Sequence, residues 1–167
     1  MAYETYRIRH AHEQDVPAIL AIYDAAHEVM RASGNPTQWP VGYPGDEDVR
    51  EDMERDALYV CVEGERVLAV FFYASGPDST YRHIDGAWLN NKPYSVVHRI
   101  ASMPGSGAGR YCLAWACAQG RDVRIDTHEH NAPMRHVLES LGFVACGIII
   151  CDNGTPRVAY HFARGEA

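Results

Sequence analysis

The chain has 167 residues, of which 47% are hydrophobic and 22% charged. It is long enough to bury one core without disulfide or metal support, and it is read as a single domain over 1–167. Fifteen Lys and Arg against 22 Asp and Glu leave a net charge of −7, which argues against nucleic acid as a partner, because that binding rests on basic contacts to phosphate. Residues 1–15 lack the apolar stretch of a signal peptide and no apolar run approaches the ~20 residues of a membrane span, so a cytoplasmic protein without membrane contact is expected.

Tyr6, Ile8 and His10 alternate with Arg7 and Arg9, the pattern of a first strand. From about Glu13, residues Val16, Ile19, Leu20, Tyr23, Ala26 and Met30 recur at helical spacing, and Gly34-Asn35-Pro36 stops that helix near Ala32. Residues 37–46, rich in Trp, Tyr, Pro and Gly, read as irregular. Residues 46–55 form a short second helix with Val49 and Met53 on one face. Strands over 58–62 and 66–73 flank Glu63-Gly64-Glu65 as a hairpin, and 76–93 is a long loop of a length more often functional than idle.

The stretch 95–143 carries most of the chemistry. Residues 95–102 (SVVHRIAS) are rich in β-branched side chains and read as a strand. Met103-Pro104-Gly105-Ser106-Gly107-Ala108-Gly109 breaks it, and 110–119 is a good helix former stopped by Gly120. Strand, glycine loop and helix together converge backbone N–H groups on an anion at a helix N-terminus. Neither GxGxxG nor GxxxxGK[ST] is present, so a dinucleotide fold and a P-loop are not indicated. Residues 123–127 read as a second buried strand. Asn131 caps a helix with Pro133 in its first turn, Met134, Val137, Leu138 and Leu141 form its apolar face, and Gly142-Phe143 closes it. Apolar runs at 144–151 and 157–162 are joined by Asp152-Asn153-Gly154-Thr155-Pro156, a strong hairpin signal. The order β-α-α-β-β-β-α-β-α-β-β describes an α/β (α+β) domain with a mixed, largely antiparallel sheet of about seven strands and about four helices.

Other clusters are weaker. Cys61, Cys112, Cys117, Cys146 and Cys151 are odd in number and contain no CxxC, so they read as small buried thiols. His128-Glu129-His130 lacks a visible third ligand, so no metal is expected. Ser106 has no Asp or His at a triad spacing and belongs to the glycine loop.

The order strand–GxG loop–helix–strand–NxxM–helix–GF, with residues 124–134 (RIDTHEHNAPM) and Leu141-Gly142-Phe143 as its most specific part, resembles the acetyl-CoA-binding half of the GNAT superfamily of N-acetyltransferases. Residues 38–44 (QWPVGYP), Trp88-Leu89-Asn90 and 98–102 (HRIAS) resemble a bacterial subgroup of small GNAT proteins. The resemblance implies acetyl transfer from acetyl-CoA to a primary amine of a small molecule or peptide. The backbone of Ile100, Ala101 and Ser102 would pair with the pantetheine arm. The N–H groups of Gly105, Ser106, Gly107, Ala108, Gly109 and Arg110 would bind the pyrophosphate, and Asn131 would contact the cofactor. Trp39, Tyr43, Tyr73, His83 and Trp88 are candidates for the acceptor pocket, with core cover as the competing reading of Trp39, Tyr43 and Trp88.

His98 is the candidate base, because a neutral imidazole is available near pH 7. Strand alternation puts it on one face with Ile100 and Ser102, and Arg99 on the other. A structural histidine, or direct attack with water relaying the proton, are the alternatives. Pro104 stands where many family members have Gln or Arg, a loss the backbone amides tolerate. Leu138 stands where many members carry a tyrosine acid, which leaves the acid open between His136, Cys151 and none at all. That favours the rival reading, a non-catalytic acyl-CoA-binding or regulatory protein on the same fold. A homodimer through the ends of strands 144–151 and 157–162 completes the expectations.

Overall fold

The computed structural model describes residues 2–36 and 38–165; Thr37, first residue of the loop read as irregular, lies outside them, as do Met1, Glu166 and Ala167. In chain order the elements are β1 (Tyr6–His10), α1 (Val16–Ala32), α2 (Asp46–Glu54), β2 (Leu58–Glu63), β3 (Arg66–Ser75), β4 (Asp85–Gly86), β5 (Tyr94–Ser102), α3 (Ala108–Cys117), β6 (Asp122–Thr127), α4 (Ala132–Ser140), β7 (Val144–Ile150) and β8 (Pro156–Phe162). They form one mixed, mostly antiparallel sheet in the order β1-β2-β3-β5-β6-β8-β7-β4. Among the described residues the single parallel pair is β5 with β6, joined through α3 as a parallel pair requires.

Local chemistry accounts for the element ends. Asn131 accepts the Met134 N–H at 3.3 Å and starts α4. Gly142 takes a φ of 96°, which brings the Phe143 N–H onto the Leu138 carbonyl at 3.0 Å and turns the chain into β7. The β7–β8 turn closes through Cys151 N–H to Thr155 O at 2.9 Å.

Helices cover both sheet faces. One face buries Phe71, Val97, Leu113, Ile125, Leu138 and Tyr160 beneath α3 and α4. The other buries Val60, Val70 and Ala101 beneath α1 and α2, which contribute Ile19, Tyr23 and Val49. Farther along that second face, Phe72, Val96, Ile149 and Ala159 pack beneath Tyr81 from the 76–93 loop.

One expectation is corrected. The 76–93 loop contains a 3-10 turn, Ser79–Tyr81, and the short β4, whose Asp85 and Gly86 pair with Ile148 and Gly147. The strand at 157–162 is internal to the sheet: β8 lies between β6 and β7 and is paired on both sides. The β4–β7 contact depends on glycine at its crossing. A Cβ on Gly147 would lie 2.1 Å from the Asp85 carbonyl oxygen. Gly147→Ala is therefore expected to detach β4, with a stability loss of about 1–3 kcal/mol from the overpacked contact. Faster hydrogen exchange at the Ala87 amide, which bonds to Cys146 O at 3.1 Å, is the readout, and unchanged exchange there would contradict it.

Candidate functional site

The site begins where β5 leaves β6. Their ladder consists of Tyr94 with Asp122, Ser95 with Val123 and Val96 with Arg124, and it ends there. From Val97 onward β5 keeps β3 on one side, while β6 keeps β8, so no strand fills the gap between them. Backbone groups of β5 facing that gap have no ladder partner. A β-bulge sharpens the divergence: His98 lies opposite Phe72 and Ala101 opposite Val70, so Phe71 alone faces both Arg99 and Ile100. Arg99 takes a φ of 49°, unusual for a non-glycine residue. Its guanidinium is held by Asp52 through two bonds of 2.8 and 2.9 Å and by the Tyr43 hydroxyl at 3.2 Å, and Tyr23 OH donates to the Arg99 carbonyl at 2.9 Å.

The bulge overturns the expected alternation. The His98 ring lies 5.7 Å from that of Phe72, and the Arg99 guanidinium lies 4.8 Å over the same ring, on the α1–α2 face. Ile100 instead packs with Val97 on the α3–α4 face. His98 and Arg99 therefore share a face that Ile100 does not.

At the far end of β5 the glycine loop enters α3. Gly105 and Gly107 have φ of 77° and 70°. The Ser106 hydroxyl donates to Met103 O at 2.7 Å and accepts from the Ala108 N–H at 3.2 Å, a staple for the loop. The Ser106 N–H is taken by Met103 O at 3.3 Å. Of the expected donors, Ser106 and Ala108 are thus engaged inside the loop. The bond from Tyr111 N–H to Gly107 O at 3.1 Å closes the first helical turn, so the N–H groups of Gly109 and Arg110 precede the helical ladder at its positive end.

On the α1–α2 face the divergence opens into a cleft of about 660 Å³ whose walls include His98, Arg99, Asp126, Asn131, Cys151 and Arg157. His98 Nε2 meets Asp78 Oδ2 at 2.7 Å, and its Nδ1 lies 4.0 Å from Asp126 Oδ2. Burial works to raise the Asp78 carboxyl, but the His98 bond and charge and the Thr80 N–H outweigh it and bring it to about 2. Facing that carboxylate, Nε2 carries the proton, and in a neutral ring Nδ1 holds the free lone pair. Tyr81, pushed up by burial and by Asp126, donates its OH to Asp126 Oδ2 at 2.7 Å. Asn131 donates to Gln38 Oε1 at 3.1 Å, and Gln38 also accepts from Asn35 at 2.8 Å, so the 38–44 loop is tied to the start of α4.

Among the other expected pocket residues, Trp39 and Tyr43 line the cleft. Tyr73, His83 and Trp88 do not. Tyr73 falls on the α3–α4 face with Tyr59 and Trp115, at ring distances of 5.9 and 5.2 Å. His83 is exposed outside the cleft. Trp88 packs over Arg124 at 4.2 Å and donates its indole N–H to Tyr81 O at 3.1 Å. Leu138 is fully buried and has no proton to give. His136 is exposed and outside the cleft, whereas Cys151 lines it and burial pushes its thiol up. Among the described residues no group of three or more His, Cys, Asp or Glu side chains is arranged to hold a metal ion. Nor is any helix among them long and apolar enough to cross a membrane. Asp78 and Arg157 were not marked by the sequence, and Gln38 and Asp126 only as members of the 38–44 and 124–134 motifs, since each reaches the cleft through long-range folding.

No protein-family model and no curated protein sequence matches the chain. Solved structures do. A GNAT-family acetyltransferase of Streptococcus agalactiae is 29% identical, with a TM-score of 0.85 over 96% of each chain. A GNAT-family acetyltransferase of Listeria monocytogenes is 18% identical, with a TM-score of 0.69 over 95% of this chain and 94% of that one. The yncA protein of Salmonella typhimurium, solved with its cofactor acetyl-CoA, is 19% identical, with a TM-score of 0.62 over 98% of this chain and 96% of that one. The latter two share the fold.

The Asp78 carboxyl is lowered from an ordinary 3.8 to about 2. Its ionisation therefore stabilises the fold fully above about pH 4, and that contribution is lost as pH falls toward 2. The stability advantage of wild type over Asp78→Asn, measured by denaturant unfolding, is expected to shrink across that window. An advantage constant from pH 6 to pH 2 would contradict it.

Proposed function

The chain belongs to the GNAT superfamily, and on that premise we propose that it transfers an acetyl group from acetyl-CoA to a primary amine of a small molecule or peptide. The observation that carries this reading is the unpaired gap between β5 and β6, with a glycine loop and helix N-terminus at one end and the His98 imidazole beside it. The gap suits an extended arm bearing amides, since such an arm can take up the unpaired backbone groups of β5 around Ile100, Ala101 and Ser102. Gly105 leaves the space above the loop clear, and the N–H groups of Gly109 and Arg110 suit a pyrophosphate. Asn131 lies at the cleft wall, where it would contact the same ligand. When bound, acetyl-CoA supplies an acetyl group activated as a thioester.

The residues on the acceptor side then have defined work. An alkyl ammonium with a pKa near 10.4 is neutral in roughly one molecule in a thousand at pH 7. Asp126 attracts the cation, and His98 Nδ1 accepts its proton while Asp78 stabilises the resulting imidazolium through Nε2. For the departing thiolate, Cys151 is the protonated group at the cleft, and Leu138 supplies none. Burial of Leu138 is the observation that favours the second reading, a protein that binds acyl-CoA without turnover.

A substitution in the loop tests the cofactor site. A side chain on Gly107 would strike the Tyr3 hydroxyl at 2.5 Å and confound folding with binding, whereas Gly105 has no atom within 4 Å of its added Cβ. Gly105→Val costs about 1–2 kcal/mol in the left-handed region and is expected to stay folded. Saturating acetyl-CoA at 100 times its Kd should stabilise wild type by about 2.7 kcal/mol in thermal unfolding. The valine variant should bind about tenfold more weakly or worse, and equal affinity would contradict the assignment. His98→Ala is expected to lower kcat about 10²–10⁴-fold with acetyl-CoA affinity unchanged. Undiminished turnover in that variant would assign proton removal to water.

A further inference from the structure

The charges around the cleft do not balance locally. Three arginines line it: Arg55, Arg99 and Arg157. Arg99 is neutralised by Asp52. Arg55 stands exposed at the rim, 4.9 Å over the Phe72 ring. Arg157 is only 5% exposed, and its bonds go to neutral groups: Thr155 Oγ1 at 2.8 Å, Pro156 O at 3.1 Å and Gln38 O at 2.6 Å. Among the described residues no carboxylate oxygen comes within 4.0 Å of its nitrogens. A desolvated cation without a counter-charge is costly. Arg124, also buried without a carboxylate, lies between the Trp88 and Tyr94 rings at 4.2 and 3.9 Å, which a cation favours. Among the described residues no ring lies over Arg157, which borders the cleft.

Its position relative to the base is informative. On β6, Asp126 stands opposite Ala159 of β8, and Arg157 lies two residues along β8 on the same face. Diagonal neighbours on paired strands are within reach of long side chains. Asp126 and Arg157 nevertheless stay apart, because Arg157 turns to the Gln38 carbonyl and Asp126 to Tyr81. The cleft thus offers an imidazole and a carboxylate to an ammonium on one side, and an unneutralised guanidinium on the other.

We infer that the acceptor is a small amine that also carries an oxyanion, and that Arg157 holds that oxyanion. The inference rests on the acyl-transfer reading above. A guanidinium fork suits a carboxylate or a phosphate. An amino acid presents the first and an aminoalkyl phosphate the second.

The test measures acetyl transfer to matched pairs: L-amino acids beside their carboxamides, and phosphoethanolamine beside ethanolamine. The anionic member of at least one pair is expected to be preferred about tenfold or more in kcat/KM, mainly through KM, and which pair shows it identifies the oxyanion. Arg157→Gln should erase the preference, lowering the anionic member about tenfold more than the neutral one, and Arg157→Lys should retain part of it. Wild type that treats both members alike overturns the inference. So does Arg157→Gln lowering both members equally, with Arg157→Lys no better, which would limit Arg157 to holding the Gln38 loop. Calorimetry with acetyl-CoA separates the premise from the inference. If the cofactor binds but nothing is turned over, the transfer reading fails, and calorimetric binding of the same pairs to wild type and Arg157→Gln still decides the oxyanion site.

Discussion

The feature on which the rest depends is a hydrogen-bond ladder that stops after three residue pairs. In the interior of an eight-stranded sheet, β5 and β6 part after Val96 and Arg124. Sheet interiors otherwise leave few backbone groups unpaired, because an unmet buried N–H or C=O is costly. The chain keeps the gap open by giving each strand a different partner, β3 for one and β8 for the other. The bulge at Arg99 and Ile100 bends β5 further, and the Asp52–Arg99 ion pair with the Tyr23 and Tyr43 hydroxyls holds that strained position from the α1–α2 side. A groove built this way has backbone along one wall, a helix N-terminus at its end and side-chain chemistry at its mouth.

Electrostatics divides the mouth into two sides. His98 lies between Asp78 and Asp126, each fixed by a further partner, Thr80 for one and Tyr81 for the other. Across from them Arg157 ties the 38–44 loop to the β7–β8 turn. The same loop reaches α4 through Gln38 and Asn131. Loops distant in sequence thus fix one another, which pre-organises the cleft.

Much of this was legible in the chain itself. The order of elements, the Asn131 cap, the Gly142 stop and the Asn153-Gly154 hairpin all rest on interactions within a few residues, and such signals survive into the fold. The glycine loop was legible for the same reason, although the N–H groups of Ser106 and Ala108 are taken up by bonds inside the loop. What was lost depended on register. Two-residue alternation carried through 98–102 put His98 with Ile100, because a bulge at an arginine leaves no glycine to mark it. Tyr73 was taken for the cleft, yet the hairpin register places it with Phe71 on the α3–α4 face. The short β4 rests on two glycines crossing backbones, a contact between segments about sixty residues apart. Asp78, Asp126 and Arg157 looked like ordinary loop or strand charges until folding brought them to one mouth.

The most direct test of the account is amide hydrogen exchange with and without acetyl-CoA, resolved along the chain. The unpaired wall of β5 and the start of α3 should gain protection at residues 97–102 and 105–110, with little change in β1, β2 or β7. Protection confined to other segments, or none in these two at saturating acetyl-CoA, would contradict the claim that the parted strands form the cofactor groove.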